Sequence, residues 1–311
     1  MKTIDCEFIN KRFVSEKDLL REDERFNGEV EEIAREIALN CKEKPVILLS
    51  GPSGSGKTTT SAMIKKQLEA CGHKTRVISL DNYFRTINPE EKASVDFESP
   101  DRMNSKLLTE HVNKIIDCVE VELPAFDFVN TKNYPSGQKF KRKKDEIVIF
   151  EGIHALNPDV INIDDDKTFK MYAGVRTRIT CNDEIYHPKY IRLLRRIGRD
   201  LLYRGREMDE TIKYFDSVER GETMYVAPFK HRADFSIDTF IAYEPKVYKK
   251  LLAYKLDKIA DKNSEETVQR LVSFLNDFEE IEPSLVAKNS LIVNLSEKIK
   301  RFTSFKIGCI L

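Results

Sequence analysis

The stretch that most constrains this chain of 311 residues is Gly51-Pro52-Ser53-Gly54-Ser55-Gly56-Lys57-Thr58. It matches G-x-x-x-x-G-K-[ST] at every fixed position. It follows the apolar run Val46–Ser50 directly and opens a helical stretch from about Lys57 to Ala70, ending at Gly72. A strand, a glycine-rich turn and a helix N-terminus together let backbone N–H groups curl around a phosphate, and the helix end adds positive potential. Lys57 offers a point charge to the β- and γ-phosphates, and Thr58 a hydroxyl to Mg²⁺. The expected phosphate-binding residues are therefore Gly51, Ser53, Gly54, Ser55, Gly56, Lys57, Thr58 and Thr59. The chain is expected to bind a nucleoside triphosphate with Mg²⁺; ATP is the first choice and GTP stays open.

Short β-type runs and helical stretches alternate after Pro45. Strands are expected at Val46–Ser50, Thr75–Leu80, near Val121–Phe126, at Glu146–Phe150 and at Phe169–Gly174, with helices near Ser105–Cys118 and over Lys189–Tyr203. This order predicts an α/β fold, a P-loop NTPase with a doubly wound parallel sheet and helices on both faces. Residues 1–43 read as a charged helical extension, in which Val30, Ile33, Ala34, Ile37 and Ala38 recur at helical spacing. Residues 44–245 read as the P-loop domain. Residues 246–311 read as a C-terminal helical extension with Val268, Leu271, Val272 and Leu275 on one face. The basic run Lys139–Lys144 is expected at a solvated turn or hairpin arm, and Asp164-Asp165-Asp166 in a loop.

The phosphate loop alone does not separate a kinase from a GTPase or a motor ATPase. A D-x-x-G switch and an N-K-x-D guanine reader are both missing from the sequence. The apolar run Ile147-Val148-Ile149-Phe150 ends in a lone Glu151 followed by Gly152 rather than in Asp-Glu. Lys plus Arg and Asp plus Glu number 52 each, giving a net charge of zero, which disfavours a nucleic-acid binder. The apolar runs fall far short of the ~18 residues a bilayer span needs, and the first residues hold no apolar signal core. Cysteines at 6, 41, 71, 118, 181 and 309 form no C-x-x-C pair, which fits a reducing, cytoplasmic setting. Small-molecule partners are expected, with neither nucleic acid nor membrane, and homo-oligomers are left open.

Two carboxylates stand at strand ends, Asp81 after Thr75–Leu80 and Glu151 after Ile147–Phe150. Ligands of open parallel sheets bind beyond the carboxyl ends of the strands, so both acids should point toward the γ-phosphate. One can hold Mg²⁺ and one can accept a proton from an attacking hydroxyl. Further on, Arg192, Arg195, Arg196 and Arg199 fall at i, i+3, i+4 and i+7, opposite Leu194, Ile197 and Leu201, and Arg204-Gly205-Arg206 continues the basic character. The arc predicts an Arg-rich helical lid that clamps the triphosphate.

Together these residues resemble the uridine kinase and phosphoribulokinase family of P-loop kinases, and most of all its uridine kinase-like nucleoside kinases. The resemblance rests on Gly51–Thr60, Ser79–Phe84, Asp96–Asn104, Pro124–Phe128, Glu151-Gly152-Ile153 and Arg192–Arg206, in the family's order, and the narrower likeness on Ser217–Pro228. It implies ATP-dependent phosphoryl transfer to the 5′-hydroxyl of a nucleoside, uridine first. Asp81 is implied as catalytic base beside Lys57, with Thr58 and Glu151 at Mg²⁺. Tyr83 and Glu98 would lie on the substrate side, Glu98 near the ribose hydroxyls, and Arg192 would approach the nucleoside. Arg195, Arg199 and Arg204 would face the phosphates. Phe126 and Thr131 are implied on the substrate side too, in place of the family's tyrosine and histidine that contact the pyrimidine, so the resemblance does not carry over the base preference. Other acceptors (another nucleoside, a sugar phosphate, pantothenate) remain alternatives, as does a catalytically idle nucleotide-binding regulator.

Overall fold

The computed structural model of the protein describes residues 2–91, 94–201, 205–260 and 266–292. In chain order, β1 (Thr3–Asp5), α1 (Cys6–Arg12) and α2 (Glu16–Asn40) precede β2 (Val46–Ser50), α3 (Lys57–Ala70) and β3 (Thr75–Ser79). Next come α4 (Ser105–Ile116), β4 (Val121–Asp127), β5 (Lys132–Phe140), β6 (Ile147–Glu151) and β7 (Thr168–Gly174). The remainder is β8 (Arg178–Cys181), β9 (Glu184–Tyr186), α5 (Lys189–Arg199), α6 (Met208–Gly221), β10 (Phe235–Asp238), α7 (Glu244–Ala260) and α8 (Glu266–Asn276). The chain divides into two compact units, one of Glu29–Gly174 with Ser217–Ile237, the other of the N-terminal residues to Gly28, Val175–Asp216 and the stretch from Asp238 onward. These divisions do not coincide with the boundaries expected at 43/44 and 245/246. Among the described residues no helix is long and apolar enough to cross a membrane.

The first unit is built on a five-stranded sheet in the order β10-β7-β2-β6-β3, whose pairs β7–β2, β2–β6 and β6–β3 are parallel. Every residue of β2 and β6 is buried, as expected of strands covered on both faces. Side chains alternate along a strand. Val46 and Leu48 of β2, with Val148 and Phe150 of β6, join a core with Leu108, Val112 and Ile115 of α4 and the β4–β5 hairpin. On the other face α3 packs along β2, β3, β6 and β7, with Ile64 and Leu68 fully buried. The sequence therefore dictates a parallel sheet with helices on both faces, with the glycine-rich turn at the carboxyl end of its central strand.

Two expectations need correction. The strand expected near Val121–Phe126 forms, but it pairs antiparallel with β5 in a separate two-stranded sheet. Asp127 sets that turn, accepting hydrogen bonds from the N–H groups of Val129 and Asn130. The basic run Lys139–Lys144 is not wholly solvated either. Arg142 is buried, and its guanidinium donates to the carbonyls of Ile115 and Ile116 at 2.8 and 2.7 Å, at the open carbonyl end of α4. A cation there satisfies acceptors that the helix itself cannot.

The second unit holds β1, β8 and β9 in a small sheet, with α5, α7 and α8. Its interior is ionic as well as apolar. Arg195 of α5, 4% exposed, makes a bidentate pair with Glu244, 0% exposed, at 2.9 and 2.7 Å, and donates to the Thr239 carbonyl at 2.6 Å. Asp200, also fully buried, gathers Arg196, Arg199 and Arg206 at 3.6, 3.2 and 3.8 Å. A third buried acid, Asp23, lies 2.8 and 2.9 Å from the Tyr243 hydroxyl, which also meets the Ser290 hydroxyl.

Truncating one member of a buried ion pair strands the other charge, at about 3–5 kcal/mol. Glu244→Ala should lower unfolding stability by that amount in urea titrations, and Arg195→Met combined with Glu244→Leu should recover most of it. A cost under about 1 kcal/mol would mean that the pair is wet, like a surface bridge. Asp23 gives a pH signature. Burial pushes its carboxyl up to about 6, against the hydrogen bonds from Ser290 and Tyr243. The folded state therefore holds this proton to higher pH than the unfolded chain, whose carboxyl titrates near ~4. Its contribution to stability is fully present below the unfolded value and is lost as pH rises from about 4 to about 6. Asp23→Asn should flatten that part of the stability profile; an unchanged slope would place its source elsewhere.

Candidate active site

The phosphate loop follows from close backbone packing. A Cβ on Gly51 would lie 1.9 Å from the Ala173 carbonyl oxygen at the end of β7, so residue 51 can carry no side chain. The loop then turns, with the Ser55 N–H bonded to the Pro52 carbonyl, and Gly56 caps α3. That cap has no side-chain oxygen, and the first turn of α3 holds no acid. The orphan N–H groups of the helix therefore have no internal anion to occupy them. Lys57 donates to the Pro52 carbonyl at 3.0 Å, folded along its own loop. Ser55 and Thr60 are buried behind the turn, and Thr58 is exposed on its outer side.

Glu151 ends β6 in register with Ser79 of β3 and Leu49 of β2. The Thr58 hydroxyl stands 3.5 Å from both Glu151 carboxylate oxygens. Burial pushes the Glu151 carboxyl up; the Lys57 ammonium pulls it down, and the Asp81 carboxylate pushes it up again. Glu151, at the carboxyl edge of the sheet, thus feels the charges of both Lys57 and Asp81 and faces the Thr58 hydroxyl. Asp81 sits in a 3-10 turn that follows β3 directly, Leu80–Tyr83, where its N–H is held by the Ser79 hydroxyl at 3.3 Å. The donor set is hard: the Thr58 hydroxyl and the nearly buried Glu151 carboxylate, on which the Ser79 hydroxyl also acts. It fits Mg²⁺, which keeps several waters and takes one or two protein oxygens beside phosphate oxygens.

Beyond this cluster the unit carries a polar wall. Glu98, half-buried, has its N–H on the Asp96 carboxylate at 3.0 Å. Gly221 approaches it so closely that a Cβ there would lie 2.2 Å from the Glu98 Cβ, so the glycine sets where Glu98 stands. A π-helical turn over Glu222–Val226 then places Tyr225, whose hydroxyl donates to Asp96 at 3.3 Å. Arg102, buried, lies 4.2 Å from the Phe84 ring centroid, 4.8 Å from Phe97 and 5.9 Å from Phe126. Asp96, Arg102 and Tyr225 border a cavity of about 420 Å³.

Several expected substrate residues stand elsewhere. Tyr83 is a core residue, 0% exposed, with its hydroxyl 3.1 Å from His111 Nδ1, because the 3-10 turn rotates it inward. Phe126 is buried edge-to-face between Phe84 and Phe128. Thr131 is buried too, its hydroxyl bonded to the carbonyls of Asn130 and Ile87. Neither supplies a polar group to a base. The Arg-rich lid also reads differently. Arg192 and Arg195 are buried, Arg192 over the Phe215 ring and Arg195 on Glu244, while Arg199 is tied to Asp200. The arc needs internal counter-charge, and it finds it in Glu244, far along the chain, and in Asp200, one turn beyond Arg196. Arg204 lies outside the described residues. The sequence alone assigns no role to Arg102, Tyr225, Gly221 or His154. His154 could have been flagged as a lone imidazole directly after the Glu151-Gly152-Ile153 motif, and Arg102 as a cation within Asp96–Asn104.

Residues 46–242 match the Phosphoribulokinase / Uridine kinase family. A uridine kinase of Ligilactobacillus salivarius is 30% identical over 64% of this chain and 87% of its own length, and one of Lactobacillus helveticus is 29% identical over 63% and 87%. Among solved structures, a D-glycerate 3-kinase from Cryptococcus neoformans aligns with 12% identity and a TM-score of 0.44, over 67% of this chain and 89% of that one. With a complete phosphate loop on the central strand and the family's match running from β2 past β10, this chain belongs to the Phosphoribulokinase / Uridine kinase family and is a P-loop kinase.

Proposed function

We propose that this kinase transfers the γ-phosphoryl group of ATP to the 5′-hydroxyl of a nucleoside, uridine first. The observation that carries the reading is that the charges of Lys57 and Asp81 both act on Glu151, whose carboxylate stands 3.5 Å from the Thr58 hydroxyl. A protein that merely holds nucleotide does not need a second carboxylate at the γ-phosphate. The uridine kinases to which the chain is similar support the choice of acceptor.

The acceptor oxygen attacks the γ-phosphorus, forming a new O–P bond, and the bond to the β,γ-bridging oxygen breaks to release ADP. Asp81 takes the hydroxyl proton, and Lys57 with the loop amides carries the charge of the phosphates. Thr58 and Glu151 would hold Mg²⁺, which supplies charge stabilisation to the phosphoryl oxygens when bound. Glu98 lies on the acceptor side and accepts from ribose hydroxyls. Arg195, Arg196 and Arg199 enter as ion-pair partners inside their own unit.

A second reading has its own observation. The Arg102 guanidinium covers faces of Phe84 and Phe97 on which a pyrimidine could stack. That arrangement favours a compact, anionic acceptor such as a sugar phosphate, with Arg102 as its partner. ADP release measured across nucleosides and phosphorylatable sugars separates the two: the nucleoside reading expects uridine to lead, and turnover confined to sugar phosphates overturns it.

Asp81→Asn keeps shape but removes the basic site, and should lower kcat by about 10²–10⁴-fold, or ~3–5 kcal/mol of barrier. ATP affinity should hardly change, whereas Lys57→Ala should abolish turnover and weaken ATP binding together. Steady-state kinetics, ATP titration and melting curves on the same proteins check this. Near-normal kcat in Asp81→Asn with a lowered melting temperature would make Asp81 a turn residue only.

A further inference from the structure

His154 stands three residues past Glu151 and is 1% exposed. Neither of its ring nitrogens completes a hydrogen bond. Its ring lies 6.4 Å from that of Tyr225, edge to face, and Tyr225 borders the polar cavity beside Asp96 and Arg102. The main-chain carbonyls of Glu98 and Tyr225 stand close by, and the charges of Lys57 and Arg102 both reach the ring. The imidazole thus sits against the segment that carries Glu98 and Tyr225, within reach of the charge of the phosphate-loop lysine.

Burial pulls the ring's pKa down to about 4; the two carbonyls oppose this, and Lys57 and Arg102 add to it, so His154 is neutral at pH 7. A neutral imidazole has one N–H and one lone pair. Both close neighbours are acceptors, so the N–H can serve one of them and the lone pair finds no donor. A buried polar atom left in that state is costly, and native structures keep such atoms where a ligand or water completes them. The missing group must be a donor, uncharged because the charges of Lys57 and Arg102 reach the ring, and small because the ring is almost wholly buried. A hydroxyl meets each condition.

We propose that His154 is a positioning residue for the acceptor, its ring nitrogen accepting a hydrogen bond from a substrate hydroxyl other than the one phosphorylated. The assignment rests on this site phosphorylating a hydroxyl acceptor, and it narrows the class to polyhydroxylated molecules such as a ribonucleoside or a sugar. Asp81 remains the base; His154 and Glu98 fix the ring that carries the reacting hydroxyl.

The test uses the full chain with the acceptor that releases most ADP in the panel, whichever class it belongs to. A non-nucleoside winner overturns the nucleoside reading while leaving His154 fully testable. His154→Leu should raise the acceptor KM about tenfold or more with the ATP KM unchanged, because specificity for a hydroxyl rests on satisfied hydrogen bonds. His154→Gln, which keeps an acceptor and a donor, should restore much of it. The acceptor lacking one hydroxyl should lose its sensitivity to His154→Leu, a non-additivity that a packing role does not produce. In the wild type, the imidazole ¹⁵N signals of His154, identified among five histidines by its absence in the variant, should move when acceptor is added with a non-hydrolysable ATP analogue. The proposal falls if those signals stay fixed and the acceptor KM is unchanged, which would mean that water alone completes the ring. It falls equally if both KM values rise together with a lowered melting temperature and glutamine gives no rescue, which would make His154 a packing residue.

Discussion

The turn that leaves β2 passes so close to the end of β7 that a Cβ on residue 51 would lie 1.9 Å from the Ala173 carbonyl oxygen, and the rest of the site depends on that approach. It fixes where the loop begins, hence where α3 starts and which N–H groups remain uncapped. β2 is flanked on both sides by parallel partners, so the loop's origin is held at the middle of the sheet. Glu151 is delivered by β6, one strand away, and Asp81 by the turn after β3, the next strand out. Three consecutive strand ends thus bring a phosphate cradle, a candidate Mg²⁺ ligand and a candidate base to one edge. This is the place where open parallel sheets bind ligands.

This part of the molecule was legible in the sequence because its signals are local. Val46–Ser50, the glycine loop and Lys57–Ala70 lie next to one another in the chain, and the helix and strand stand as the pattern predicts. Asp81 and Glu151 could be placed because a carboxylate after a buried strand must emerge at that strand's carboxyl end. The core stripe of α2 also emerged, with Val30, Ala34 and Ile37 buried, although the helix is longer than the pattern suggested and spans Glu16–Asn40.

What stayed hidden depends on partners distant in the chain. The arginines of α5 form a one-sided basic arc by their own spacing, which reads as a phosphate clamp. Their counter-charges are Glu244, far along the chain, and Asp200, one turn beyond Arg196 and just past the end of the helix. Arg142 read as one charge in a solvated run, whereas its fork caps α4. The resemblance implies Tyr83 as a substrate contact, but the 3-10 turn over Leu80–Tyr83 sends its side chain into the core, where its hydroxyl meets His111. His154 is marked in the sequence only by following the Glu151-Gly152-Ile153 motif; its significance comes from Glu98, Arg102 and Tyr225, which only the fold brings near it.

The central claim is that the cluster of Lys57, Thr58, Asp81 and Glu151 directs phosphoryl transfer onto a nucleoside 5′-oxygen rather than onto water. The most direct measurement is ³¹P NMR of the full chain incubated with Mg²⁺, ATP and uridine. The account predicts a new monoester signal coupled to the two 5′ protons of the ribose, growing in step with ADP and with little inorganic phosphate. Accumulation of inorganic phosphate and ADP alone, with uridine unchanged, would contradict it.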